Sequence, residues 1–212
     1  LEMIANISVP IPANYYGIDI YLTLLALSNG LRHEQVNLGQ KVHNPSFHKL
    51  EYMFPQIAST ALSRYLQTRF LKASLQDDVF TDPNILPAAI FAHKDAAKSM
   101  QDRALEQLKR QEVTAWGWVS THVFQKSEII GQGVMSHEDW IIILMAWLGF
   151  GLQNPLINTD LLAEQLLPFF VLRATSFWFS SESMTPEETE REIREQAQML
   201  YTQFQNYLSE AT

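Results

Sequence analysis

Residues 136–152 read SHEDWIIILMAWLGFGL, and the fold class turns on this stretch. Ser136 followed three residues later by Asp139 is the pattern of a capping box. The serine oxygen accepts a backbone N–H, the acid reaches back, and the negative charges at 138 and 139 favour the helix start. The helix that this opens, Trp140 to Phe150, has no polar face, and a helix apolar all round belongs in the middle of a bundle. The run from Trp140 to Leu152 is thirteen residues, short of the roughly 20 that cross a bilayer.

Working outward, the same logic gives more helices. Leu161 to Phe179 is as apolar and contains Pro168, which removes one backbone hydrogen bond and is expected to kink or break the helix. Thr185, Pro186 and Glu188 form a second capping box ahead of a last helix. Ile193, Ala197, Leu200, Phe204 and Tyr207 then follow 3-4 heptad spacing along it. Upstream, a helix is predicted from about Tyr15 to Ser28, stopped by Asn29-Gly30. Others are predicted over Arg32 to Gln40, Pro45 to about Phe54, Gln56 to Leu75, about 87 to 111 and 114 to 130. QDDVFTDPN, Gln76 to Asn84, reads as a linker, with a hinge at 76–86. Ile4 to Ile11, with Pro10 inside it and Pro12 just beyond, reads as an edge or an extended arm. The expectation is an all-α protein: residues 1–212 form a single-domain bundle of about seven to eight helices with a central apolar helix.

Composition narrows the function. Forty-seven per cent apolar residues, with 12 Phe, 7 Tyr and 5 Trp, indicate a folded core. The absence of cysteine removes disulfides, thiolate metal sites and cysteine nucleophiles. The start, LEMIANISVPIP, has no basic region followed by a continuous apolar run, so a cytoplasmic location is expected. With 23 acidic and 15 basic residues the net charge is −8. The bases are scattered, which disfavours nucleic acid, because duplex binding needs clustered Lys and Arg. The acids concentrate between Glu182 and Glu195, an arrangement suited to basic partners.

Each chemical motif meets a plainer alternative. Gly30 to Tyr52, GLRHEQVNLGQKVHNPSFHKLEY, has helix-turn-helix-like spacing at Leu31, Gln35-Val36 and Val42. Its turn is too long, however, and holds Lys41 where glycine is usual. His43 and His48 are five apart, on different faces of a helix, and His33 lies in another element, so no metal site is expected there. Asp77, Asp78 and Asp82 do not have the spacing of an EF-hand loop. No nucleophile elbow, P-loop or dinucleotide fingerprint occurs, and no cofactor is expected. His137-Glu138-Asp139 has the residue types for acid-base work, and His122 is the other histidine a helical hydrolase or lyase could use. The helix start already accounts for the acids at 138 and 139.

Aromatic residues carry the functional expectation. Trp140 and Trp147 are one heptad apart and share a face. Phe177-Trp178-Phe179 places three aromatics in succession, and no helix can bury three neighbours on one face. At least one is expected to meet a groove or a partner. Those five residues are the candidate partner-binding set, since buried aromatic anchors dominate interfaces. The leading expectation is therefore a non-enzymatic adaptor or chaperone-like subunit of a bacterial assembly, secretion machinery being one such setting, that binds a partner's amphipathic helix. The alternative is a ligand-sensing helical domain with an apolar pocket between the Trp140 helix and the Pro168 helix. The heptad face at 186–209 could also pair with a copy of itself.

Overall fold

The computed structural model describes residues 15–31, 49–68, 94–110, 118–119 and 133–210. Among them are six helices and no strand: α1 (Ile18–Ser28), α2 (Leu50–Thr68), α3 (Lys94–Arg110), α4 (His137–Gln153), α5 (Thr159–Ser181) and α6 (Pro186–Glu210). The all-α reading holds among the described residues, which do not support the count of seven to eight helices. One reason is α2, which runs through Pro55 where two helices were expected. Proline removes a single N–H, and at the sixth residue of the helix this leaves only the Glu51 carbonyl without its intrahelical donor. A second reason is that Trp118 and Val119, inside the expected 114–130 helix, are not helical. The expected helix at Arg32–Gln40, the hinge at 76–86 and the 4–11 arm lie outside the described residues.

The centre of the bundle is α5, which packs against α2, α3 and α4. It buries ten side chains on nearly every side, from Leu162 and Ala163 to Ser176 and Trp178. Pro168 is fully buried within it and the helix continues unbroken. Its first turn is capped by Asn158, whose side-chain oxygen accepts from the N–H groups of Asp160 and Leu161 at 3.0 and 3.1 Å. The apolar helix α4 packs beside α5 rather than at the middle: Ile141, Ile143 and Trp147 are buried, whereas Ile142 is 49% exposed. Its capping box forms as the sequence requires, with Ser136 and Asp139 each accepting the other's backbone N–H.

Local chemistry sets the remaining ends. Helix α1 stops in a Schellman arrangement, with Gly30 at φ +63°, Gly30 N–H donating to the Leu27 carbonyl and Leu31 N–H to Ala26. It docks on α2 through Tyr21 and Leu25, and the Arg64 guanidinium of α2 lies 5.6 Å from the Tyr21 ring. The segment entering α4 is pinned from two helices. Gln101 of α3 donates to the Gly133 carbonyl, and Met135 N–H donates to Ser176 of α5. Thr185 and Glu188 form the second capping box, and α6 follows over the expected range.

Candidate partner-binding surface

The aromatic residues separate into two groups. Trp147 and Trp178 are core, 5% and 6% exposed. The Trp147 indole N–H donates to the Leu162 carbonyl at 2.8 Å, which fastens α4 to α5. Trp140, Phe177 and Phe179 are only half-buried. Trp140 sits 6.2 Å, centroid to centroid, from Phe170 of α5, and Phe170 stacks at 3.8 Å and 6° on Phe54 of α2. Three helices thus contribute to one half-exposed aromatic cluster. Phe170, Arg173 and Phe177 are spaced i, i+3, i+7 and continue the stripe along α5. The Arg173 guanidinium lies 5.6 Å from the Phe177 ring, within cation–π range.

Two of the five residues singled out in the sequence, Trp140 and Phe177, border this stripe. Phe179, two residues beyond Phe177, points to another side of α5 by helical geometry. Phe54 and Phe170 were not singled out. A signal for Phe170 exists in the sequence: Phe169 and Phe170 are adjacent on a helix and, about 100° apart, cannot share a buried face. Phe169 is fully buried against Trp118, with ring centroids 5.8 Å apart, and so Phe170 takes the outer direction.

Next to the stripe is a polar network that ties α6 to α4 and α5. Arg173 donates to the Met135 carbonyl and to Gln196, and Gln196 donates to Glu192 at 2.8 Å. His137 Nε2 is 2.9 Å from Glu138, and its Nδ1 is 3.9 Å from Glu192. Burial pushes the Arg173 guanidinium below its ordinary value, opposed by the charges of Glu192 and Glu138. A hydrogen bond from its own backbone N–H holds the Glu138 carboxyl low, against some burial. Ser136, His137 and Arg173 pull it in the same direction. Of the residue types that resembled an acid-base site, Asp139 caps α4, and only His137 approaches α6.

A small cavity of about 160 Å³ lies between α1, α2 and α5, bordered by Tyr21, Ser59, Thr60, Arg64 and Asp160. Most of its lining side chains carry a polar group, and Ser59 bonds to both Thr159 and Asp160 across it. The apolar pocket expected of a ligand sensor would instead lie between α4 and α5, where Trp147 and Leu162 are packed and hydrogen-bonded. Among the described residues no three His, Cys, Asp or Glu side chains form a group that could hold a metal, and no helix is long and apolar enough to cross a membrane. The histidines at 33, 43, 48 and 122 and the aspartates at 77, 78 and 82 lie outside the described residues. Compared with protein-family models, with curated proteins and with solved structures, the chain matches none.

Proposed function

We propose that the protein is a non-catalytic interaction subunit, an adaptor or chaperone-like component, that receives an amphipathic helix of a partner protein on its aromatic stripe. The observation that carries this reading is the half-buried cluster of Trp140, Phe170 and Phe54, built by three separate helices and continued by Phe177. A helix laid in a groove is held by apolar anchors at i, i+3/i+4 and i+7, and large aromatics are the residues that supply such contacts with the most energy. The net charge of −8 and the glutamates at the start of α6 select a partner helix with basic flanks.

The test is selection of helical peptides from a display library against the immobilised protein, followed by affinity measurement on wild type, Phe170→Ala and Trp140→Ala. Amphipathic peptides with basic flanks should be enriched and should bind each variant at least tenfold more weakly. Both variants must first show wild-type helicity by circular dichroism. Peptides that bind the variants as tightly as wild type, or enrichment without an amphipathic pattern, would refute the reading.

A further inference from the structure

The cavity between α1, α2 and α5 has hydroxyl groups at its buried end and charges nearer solvent. Ala58 and Leu62 of α2 join the apolar core, whereas Ser59 and Thr60 of the same helix are buried on the cavity. Of the two charged residues that line it, Arg64 is half-buried and Asp160 is exposed. These charges do not meet in an ion pair. Asp160 accepts the Ser59 hydroxyl, and Arg64 is turned toward α1, where it donates to Ser28 at 3.1 Å and lies over the Tyr21 ring. Opposite charges thus stand on one cavity, each held apart from the other by its own contacts.

Thr60 adds an independent sign of a ligand. Thr23, Thr175, Thr189 and Thr202 each donate the side-chain hydroxyl to the carbonyl four residues back, the ordinary way for a helix to satisfy this residue. Thr60 is 4% exposed, and its hydroxyl has no hydrogen-bond partner among the described residues. A buried hydroxyl without a partner has lost its hydration with nothing in return. On the wall of a cavity, a molecule that enters can supply the missing bond.

We infer that this cavity binds a small α-amino acid as its zwitterion, of the size of glycine, alanine or serine. The ammonium lies toward Asp160 and the hydroxyls of Ser59 and Thr60, and the carboxylate lies toward Arg64. Volume sets the size: about 160 Å³ is well below the roughly 300–1,000 Å³ of sites for drug-sized ligands, and it admits only a few non-hydrogen atoms. Charge sets the class. A simple anion would match Arg64 and meet the Asp160 carboxylate, a simple cation would do the reverse, and a zwitterion matches both. Arg64 follows Ser59 by five residues on α2, about 7.5 Å along the axis, a span that one short molecule bridges with a hydrogen bond at each end. The orientation follows from Asn158, which already takes the N–H groups of Asp160 and Leu161 and leaves the ligand carboxylate to Arg64.

The test is isothermal titration calorimetry of the full chain with glycine, L-alanine and L-serine, and with acetate and methylammonium as ligands that carry one charge each. At least one of the amino acids should bind saturably, and neither single-charge ligand should. Asp160→Asn and Arg64→Gln should each weaken binding at least about tenfold, because each leaves one charge of the ligand unmatched. Thr60→Val should weaken binding as well, while the melting temperature of the free protein stays the same or rises, since the change removes a hydroxyl that has no partner. A merely structural threonine would give the opposite, a lower melting temperature with affinity intact. Absence of saturable binding by all three amino acids would overturn the inference and leave the cavity to water. Equal affinity for acetate or methylammonium would overturn it too, as would binding that all three variants leave unchanged. None of these outcomes bears on peptide binding by Phe170 and Trp140, so the two proposals fail separately.

Discussion

Phe169 and Phe170 are neighbours in sequence and should respond to alanine in opposite ways. Phe169 is 0% exposed and packs edge-on against Trp118. Truncating it leaves a cavity inside the α2, α3, α4 and α5 contacts, and a buried Phe→Ala change costs about 3–5 kcal/mol. For a chain of this size about 1 kcal/mol moves the melting temperature by roughly 2–4 °C, so Phe169→Ala should lower it by about 6–20 °C. Phe170 is half-buried, and its main loss is the stack on Phe54, a contribution of about 0.5–1.5 kcal/mol beyond the area it covers. With its remaining solvent exposure, Phe170→Ala should cost about 1–2 kcal/mol and lower the melting temperature by roughly 2–8 °C. The assay is urea unfolding followed by Trp fluorescence and circular dichroism, with peptide affinity measured alongside on protein that is fully folded. Phe169→Ala should lose more stability but retain affinity under folding conditions, and Phe170→Ala should lose less stability but lose affinity. Equal destabilisation by both variants would show that Phe170 belongs to the core and would remove the physical basis of the aromatic stripe.

Removing the hydroxyl of Thr185 leaves Glu188 N–H without its capping acceptor, so Thr185→Ala should cost about 1 kcal/mol and reduce helicity measured by circular dichroism. The Glu138 carboxyl is held low in the folded protein, so its contribution is present above its ordinary pKa of 4.5 and is lost as pH falls through the depressed value. Glu138→Gln should therefore flatten the acid limb of stability against pH, by a small amount because the side chain is 58% exposed. Burial raises the Tyr65 phenol, with Tyr207 adding to it, so the folded state prefers the neutral form. That contribution is complete below the ordinary value of 10.0 and is lost as pH rises through the raised one; Tyr65→Phe should make stability less sensitive to pH above 10, read by denaturant titration. Gly151 faces both Leu62 methyls at 3.1 Å from where a Cβ would stand. Gly151→Ala should be destabilising despite the gain in helix propensity, and Gly151→Ala combined with Leu62→Ala should cost less than the two single changes summed, measured as a double-mutant cycle.

The parts of the fold that were legible in the sequence are those fixed by local chemistry. Two capping boxes, Ser136 with Asp139 and Thr185 with Glu188, and the Asn29-Gly30 stop each place a helix end, because the unsatisfied N–H and carbonyl groups there have their partners within four residues. Proline was the misleading residue. Read as a boundary it divides 50–68 at Pro55 and threatens α5 at Pro168, yet both helices run through. A single lost hydrogen bond is small beside the burial of a whole apolar helix, and Pro168 adds its own ring to the core. Hydrophobicity was misleading in a related way. Helix α4 is more uniformly apolar than α5, but composition does not say which helix has neighbours on every side. Contacts made by residues far apart in sequence put α5 in that place.

The candidate surface shows the same division between local and long-range information. Adjacent aromatics on a helix must diverge, so both Phe169-Phe170 and Phe177-Trp178-Phe179 predict an outward ring from sequence alone. Which ring turns outward depends on partners fifteen or more residues away: Trp118 claims Phe169 and the backbone of α5 claims Trp147, while Phe54 meets Phe170 on the outside. Trp140 and Trp147 share a helical face by spacing and still differ in burial: Trp147 donates to the Leu162 carbonyl within the core, whereas Trp140 meets Phe170 at the edge of it. Helix α6 was legible as an amphipathic heptad, but its apolar stripe is covered unevenly. Phe204 and Tyr207 meet Tyr65 and Gly149, and Ile193 faces solvent. Uneven cover of a regular stripe follows from joining a 25-residue helix to a bundle whose α4 is 17 residues long. The exposed turn at Ile193 lies within the acidic half, where Glu192 and Gln196 hold α6 to the bundle by polar contacts in place of apolar ones.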